Sequence, residues 1–207
     1  MIIYALALIV AIGMAVILQF IFNIPFAITL AVAAVILIVR AIYNIYMTYK
    51  CKDLSRLEKF LQKSPNTLNY FFFTQKNGTI DEQTAALDDV LKSYSSPIVQ
   101  GQYKAYQAIL TRNYQQAVVQ AKAIPNTAMR NETLAFVEAT CGKRSAAEQL
   151  AIGKPWFKAF IFAIIAYRAK DMTAFEKYKQ QCLDNCAGAQ YFSNTYFLAR
   201  LHEYVKK

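Results

Sequence analysis

The first 47 residues contain no acidic side chain and a single basic one, Arg40. Nothing else in the chain constrains the fold as strongly, because a water-exposed surface cannot be built from such a stretch. A helix that crosses a bilayer needs about 20 consecutive apolar residues, since the hydrocarbon core is about 30 Å thick and each helical residue rises about 1.5 Å. Met1 to Phe22 supplies one such length and Phe26 to Met47 another. Between them lies Asn23-Ile24-Pro25, with Pro25 suited to the first position of the second helix. An insertion scale credits each Leu, Ile, Phe or Val with about 0.3–0.6 kcal/mol and penalises a central Arg by about 2.5–3.5 kcal/mol. The first segment holds 13 such residues and the second 11. Both should insert, with Arg40 past the midpoint, where its side chain can snorkel. The expectation is an integral membrane protein, multi-pass, with two spans at about residues 1–22 and 26–47.

Met1-Ile2-Ile3-Tyr4 has no basic residue, unlike the n-region of a signal peptide, so the first span is expected to be retained. Ala7, Ala11 and Ala15 recur every four residues on it, as Ala27 and Ala31 do on the second. That spacing permits close helix approach in lipid, though alanine is also simply common in such helices. The turn between the spans is uncharged. Lys50, Lys52, Arg56, Lys59 and Lys63 follow the second span against only Asp53 and Glu58, which by the positive-inside bias puts both termini in the cytoplasm. Arg40, Lys50, Lys52, Arg56 and Lys59 are accordingly the expected membrane-surface contacts.

Residues 48–65 form a juxtamembrane helix or linker, and 66–207 a soluble domain. From Pro25 to Lys63 there is no Gly or Pro, and Leu54, Leu57 and Leu61 continue an apolar stripe. One long helix ending near Ser64-Pro65 and a hinge near Thr48 to Lys52 both fit. All 13 acidic residues and 22 of the 23 Lys plus Arg follow the anchor, a net charge of 22 − 13 = +9. Scattered as they are, these charges suit anionic membrane lipids as a partner better than nucleic acid. Cys51, Cys141, Cys182 and Cys186 fit a reducing compartment, and the last two, four apart, lack the spacing of a redox or zinc motif.

Beyond residue 64, turn and cap residues punctuate helix-length periodic segments without a strand run, so the class is all-α. Thr79 with Glu82 has capping-box spacing, as does Asn113 with Gln116, and Ser96 precedes Pro97 as a cap before a first-position proline. Tyr114, Ala117, Val118 and Ala121 share one helix face. Trp156, Ala159, Phe160, Ala163 and Tyr167 share another, with Phe157, Ile161 and Ile165 opposite, predicting a helix covered on two sides. Helix pairs are expected to begin near residues 66, 97, 127, 155 and 187. Steps of about 30 residues mark stacked hairpins that cannot bury their apolar faces alone. Four hairpins and a last capping helix ending at Lys206-Lys207 would make an α-solenoid.

Val99 to Pro125 resembles the tetratricopeptide-repeat family, with Ala105 at its small position in the first helix and Tyr114 and Ala117 at its aromatic and alanine positions in the second. Trp156 to Cys182 offers Ala163 and the turn residue Asp171, but Phe175 stands where alanine is expected. The resemblance covers about half the domain. It implies a TPR-like α-solenoid that binds protein through a groove lined by the first helix of each pair, around Tyr103, Gln107, Arg130 and Lys158.

Side chains that would carry catalysis are sparse. His202 is the one histidine, no glycine-rich loop is present, and no metal-ligand motif occurs. Asp88-Asp89 reads as an exposed helix face and Tyr70 to Phe73 as core or a surface on headgroups. No cofactor, metal or enzymatic activity is expected. The expected function is a membrane-tethered adaptor that binds or regulates a protein partner at the cytoplasmic face. An accessory subunit docking through its spans onto a transporter or membrane enzyme is the alternative, and a lipid- or nucleic-acid-binding module a third.

Overall fold

The computed structural model describes residues 26–64 and 66–205, and every described element is a helix or a turn. The first expected span, the turn at Asn23 to Pro25 and the Ala7, Ala11, Ala15 stripe lie outside the described residues. The chain divides into two compact units, Met1–Tyr46 and Met47–Lys207.

Helix α1 is Phe26–Tyr49. Its stretch Leu30–Tyr49 is long and apolar enough to cross a membrane. Ile28, Val32, Val35, Ile38, Val39, Ile42 and Ile45 are all exposed, so the apolar surface runs around the helix instead of along one stripe. A core helix of a water-soluble protein would bury these side chains.

In the second unit the last turn of α1 begins with Met47, which is buried with Cys51, Leu57, Leu61, Ala189 and Phe192. The backbone then breaks, and α2 (Leu54–Lys63) starts at Asp53, whose side chain accepts the Arg56 N–H at 3.0 Å. The break has a partner across the fold. The Cys51 carbonyl accepts the Gly188 N–H at 2.7 Å, and Lys52 Nζ donates to the carbonyls of Leu183 and Asp184 at 3.3 and 2.8 Å. The first of these bonds takes up a carbonyl that a continuous helix would have paired internally, and the Lys52 bonds satisfy carbonyls orphaned at the end of α10.

Four hairpins follow. They are α3 (Thr67–Asn77) with α4 (Ile80–Ser93), α5 (Pro97–Leu110) with α6 (Tyr114–Lys122), α7 (Thr127–Cys141) with α8 (Arg144–Leu150), and α9 (Pro155–Arg168) with α10 (Met172–Asp184). Then come α11 (Gly188–Ala199) and α12 (Leu201–Tyr204). The first helices begin at residues 67, 97, 127, 155 and 188, each within one of the periodic expectation.

Three hairpins share one turn. Arg112, Gly142 and Lys170 each have positive φ, at 59°, 87° and 58°. The following N–H in each case reaches the carbonyl five residues back: Asn113 to Ala108, Lys143 to Glu138 and Asp171 to Ala166, at 2.7, 2.9 and 3.0 Å. This is the Schellman closure, which satisfies carbonyls orphaned at a helix end. Asn113 and Asp171 then cap the next helix. Thr79 and Glu82 form the reciprocal capping box, whereas Asn113 makes only its own half of one, and Ser96 precedes Pro97 without a side-chain cap bond.

Each hairpin packs on the next, and among the first helices α5 meets α7, α7 meets α9, and α9 meets α11. The last helix departs from the solenoid expectation. α11 returns to the start of the domain and packs on α3 and α2, and the terminal segment breaks at Arg200 instead of running on as one capping helix. Arg200 Nη1 donates to the Gln75 carbonyl, Tyr204 Oη to Gln83 Oε1, and Tyr114 Oη to the Tyr204 carbonyl, at 3.1, 3.2 and 3.2 Å. The C-terminal segment thus packs back on the first two hairpins.

Candidate functional site

Where the first helices converge, aromatic rings run through the domain in series. Phe71 on α3 meets Tyr106 on α5 edge-on at 5.3 Å, Tyr106 stacks on Phe136 of α7 at 5.6 Å, and Phe136 meets Phe160 of α9 at 5.8 Å. Phe160 meets Phe197 of α11 at 5.3 Å, and Phe197 lies parallel to Tyr204 at 4.7 Å. Offset and edge-on arrangements are the favoured ones for such rings. Beside them is a cavity of about 180 Å³. Its wall takes side chains from α3, α5, α7, α9 and α11, with Trp156 and Phe157 from the first turn of α9.

Polar groups reach the same wall. Gln75 is 2% exposed and donates through Nε2 to Tyr106 Oη at 3.0 Å, while its Oε1 has no hydrogen-bond partner. Gln190 Nε2 donates to Asn194 Oδ1 at 2.7 Å, and Asn194 Nδ2 in turn points at the Cys182 and Cys186 sulfurs at 3.3 and 3.7 Å. The lining contains one ionisable carboxylate, Glu132, and no basic side chain.

Burial shifts the titrating groups here. It pushes the Tyr106 and Tyr103 phenols above their ordinary value, since a phenolate would lose its hydration. The hydrogen bond between the two thiols raises Cys182, with burial adding to it, and lowers Cys186. All four cysteines are free, three of them buried. The Arg200 hydrogen bond holds Glu203 below the usual carboxylate value. Among the described residues no group of three His, Cys, Asp or Glu side chains could hold a metal ion.

Comparison with family models, with curated proteins and with solved structures finds no match.

Of the four residues placed by helix phase, the cavity gathers one. Tyr103 lines it. Gln107 Nε2 instead bonds Asp88 Oδ1 at 2.7 Å, tying α5 to α4. Arg130 braces the start of α7 through the Ile124 carbonyl and Thr127 Oγ1 at 3.4 and 3.2 Å. Lys158 is exposed, over the Phe162 ring at 5.9 Å. Tyr106, one position from Gln107, Phe160, two from Lys158, and Phe136, six from Arg130, line the cavity instead. The readable signal was an aromatic at helical spacing on each first helix, as in Tyr103/Tyr106 and Trp156/Phe160.

Of the expected membrane-surface cations, Arg40 is exposed within α1, and Lys50 and Lys59 are exposed in the second unit. Arg56 pairs with Asp53 at 3.3 Å, and Lys52 caps the end of α10 and lies 5.8 Å from the Tyr191 ring. Within Tyr70 to Phe73, Phe71 is core and Tyr70 is exposed, and His202 is exposed beside Glu203.

Proposed function

We propose that this chain is a membrane-tethered helical-repeat adaptor, anchored by two spans with both termini cytoplasmic, that recruits or regulates a protein partner. The observation that carries the reading is the series of hairpins closed by one recurring Schellman turn, attached to a helix whose apolar side chains are exposed on all sides. Stacked hairpins offer a large rigid surface for binding, and the tetratricopeptide-like positions Ala105, Ala117 and Ala163 are buried between helices as that packing requires. The domain's charge of +9 favours residence at an anionic leaflet, and Lys50 and Lys59 are exposed basic residues soon after the end of α1. Crosslinking in intact cells tests the reading. A specific protein should be captured in proportion to the full-length chain, and recovery of lipid adducts alone would refute it.

A docking subunit is the second reading, favoured by Ala27 and Ala31, which expose a small-residue stripe on α1. Exchanging both spans for an unrelated hairpin separates the two. The adaptor keeps its function, and the docking subunit loses it.

A further inference from the structure

We propose that the aromatic cavity between the first helices is a binding site for a small organic ammonium ion. The inference goes beyond the adaptor reading and does not depend on it. The cavity, about 180 Å³, is slightly larger than an engineered apolar cavity of about 150 Å³ that accepts benzene, so its occupant has a body of about that size. Phe71, Tyr106, Phe136 and Trp156 line the wall. Ring faces carry the negative side of the aromatic quadrupole and attract cations, tryptophan most strongly.

Two further observations set the sign of the ligand. Gln75 Oε1 is a buried acceptor without a donor. A buried polar atom left in that state costs free energy that a ligand donor would recover. Glu132 is half-buried on the same wall, and no ion pair or hydrogen bond of its carboxylate is formed among the described residues, although the domain carries nine more positive than negative charges. Its Oε1 lies beside Gly153 in the loop before α9, where a Cβ would stand 3.4 Å away. Both groups accept hydrogen bonds, and no cation of the protein lines the cavity. A ligand that completes it brings N–H donors and positive charge on an apolar body, which describes an arylalkyl or alkyl primary amine in its protonated form.

Trp156 is the chain's one tryptophan and lines the cavity, so its emission reports occupancy directly. The full-length protein in nanodiscs is titrated with benzylammonium, benzyl alcohol and benzoate, which share a ring and differ in charge. Benzylammonium should give a saturable change. Benzyl alcohol should bind about tenfold or more weakly, because a hydrogen bond to a charged group is worth more than a neutral one, and benzoate should give no saturable change. Glu132→Gln should lower benzylammonium affinity to that of the alcohol without altering far-UV circular dichroism. Equal affinity for amine and alcohol, tighter binding of benzoate, or no saturable response to benzylammonium in the unmutated protein would each overturn the proposal.

Discussion

Replacing Phe197 by alanine should remove about 3–5 kcal/mol of stability from the helical-repeat unit. The ring is 2% exposed and touches Tyr106, Phe136, Phe160 and Tyr204 at centroid distances of 6.0, 5.5, 5.3 and 4.7 Å. It is the point at which α11 closes the stack, so the cavity left behind is walled by rings from four other helices, α5, α7, α9 and α12, and cannot collapse without moving them. Against a typical total of about 5–15 kcal/mol the loss is large. For a domain of this size it lowers the melting temperature by about 6–20 °C. The assay is urea unfolding of the full chain in nanodiscs, followed by Trp156 emission and far-UV circular dichroism. Tyr70→Ala provides the reference: the ring is 48% exposed, and its removal should cost about 1 kcal/mol or less. A cycle with Tyr204→Ala should show coupling of about 0.5–1.5 kcal/mol, as expected for stacked rings. If Phe197→Ala shifted the midpoint no more than Tyr70→Ala does, α11 would not be holding the stack closed.

Further expectations concern single turns and one ion pair. Thr79→Ala should cost about 1 kcal/mol and Thr79→Ser much less, measured by urea midpoint, because serine keeps the acceptor for the Glu82 N–H. Gly188→Ala should lose about 2 kcal/mol or more. Its φ of +64° disfavours a side chain, the new Cβ would overlap the Thr48 carbonyl, and moving away stretches the bond to the Cys51 carbonyl. The Glu203 carboxyl is held below its unfolded value by Arg200, so its contribution is present above the unfolded value of about 4.3 and is lost as pH falls through the folded one. Glu203→Gln should therefore be less stable than the unmutated chain at pH 7, by about 1 kcal/mol at most for a partly exposed pair, and in urea melts the difference should shrink as pH is lowered below the unfolded value.

Periodicity and punctuation carried most of the architecture. Helix starts such as Pro97 and Pro155 were legible because proline at a first helical position leaves little else for the chain to do. The capping box at Thr79 is a local matter of three residues and was readable for the same reason. The break at Lys50 to Asp53 was undecidable locally, since the groups that hold it, Gly188 and the end of α10, are more than 130 residues away. The return of α11 onto α3 depends on Phe192 and Phe197 finding rings in the first hairpins, a non-local contact that leaves no local pattern. Helix phase found Tyr103 in the cavity and missed Tyr106 and Phe160. An error of one residue turns a side chain by about 100°, enough to exchange Phe157 for Lys158 or Tyr106 for Gln107.

The most direct test places an impermeant maleimide against a reporter on the exposed start of α8. Ser145→Cys is expressed in the full chain and labelled in intact and in permeabilised cells, alongside extraction of the membranes with alkaline carbonate. The account predicts a chain that stays in the membrane pellet and reacts only after permeabilisation. Labelling in intact cells, or release of the chain into the carbonate supernatant, would contradict it.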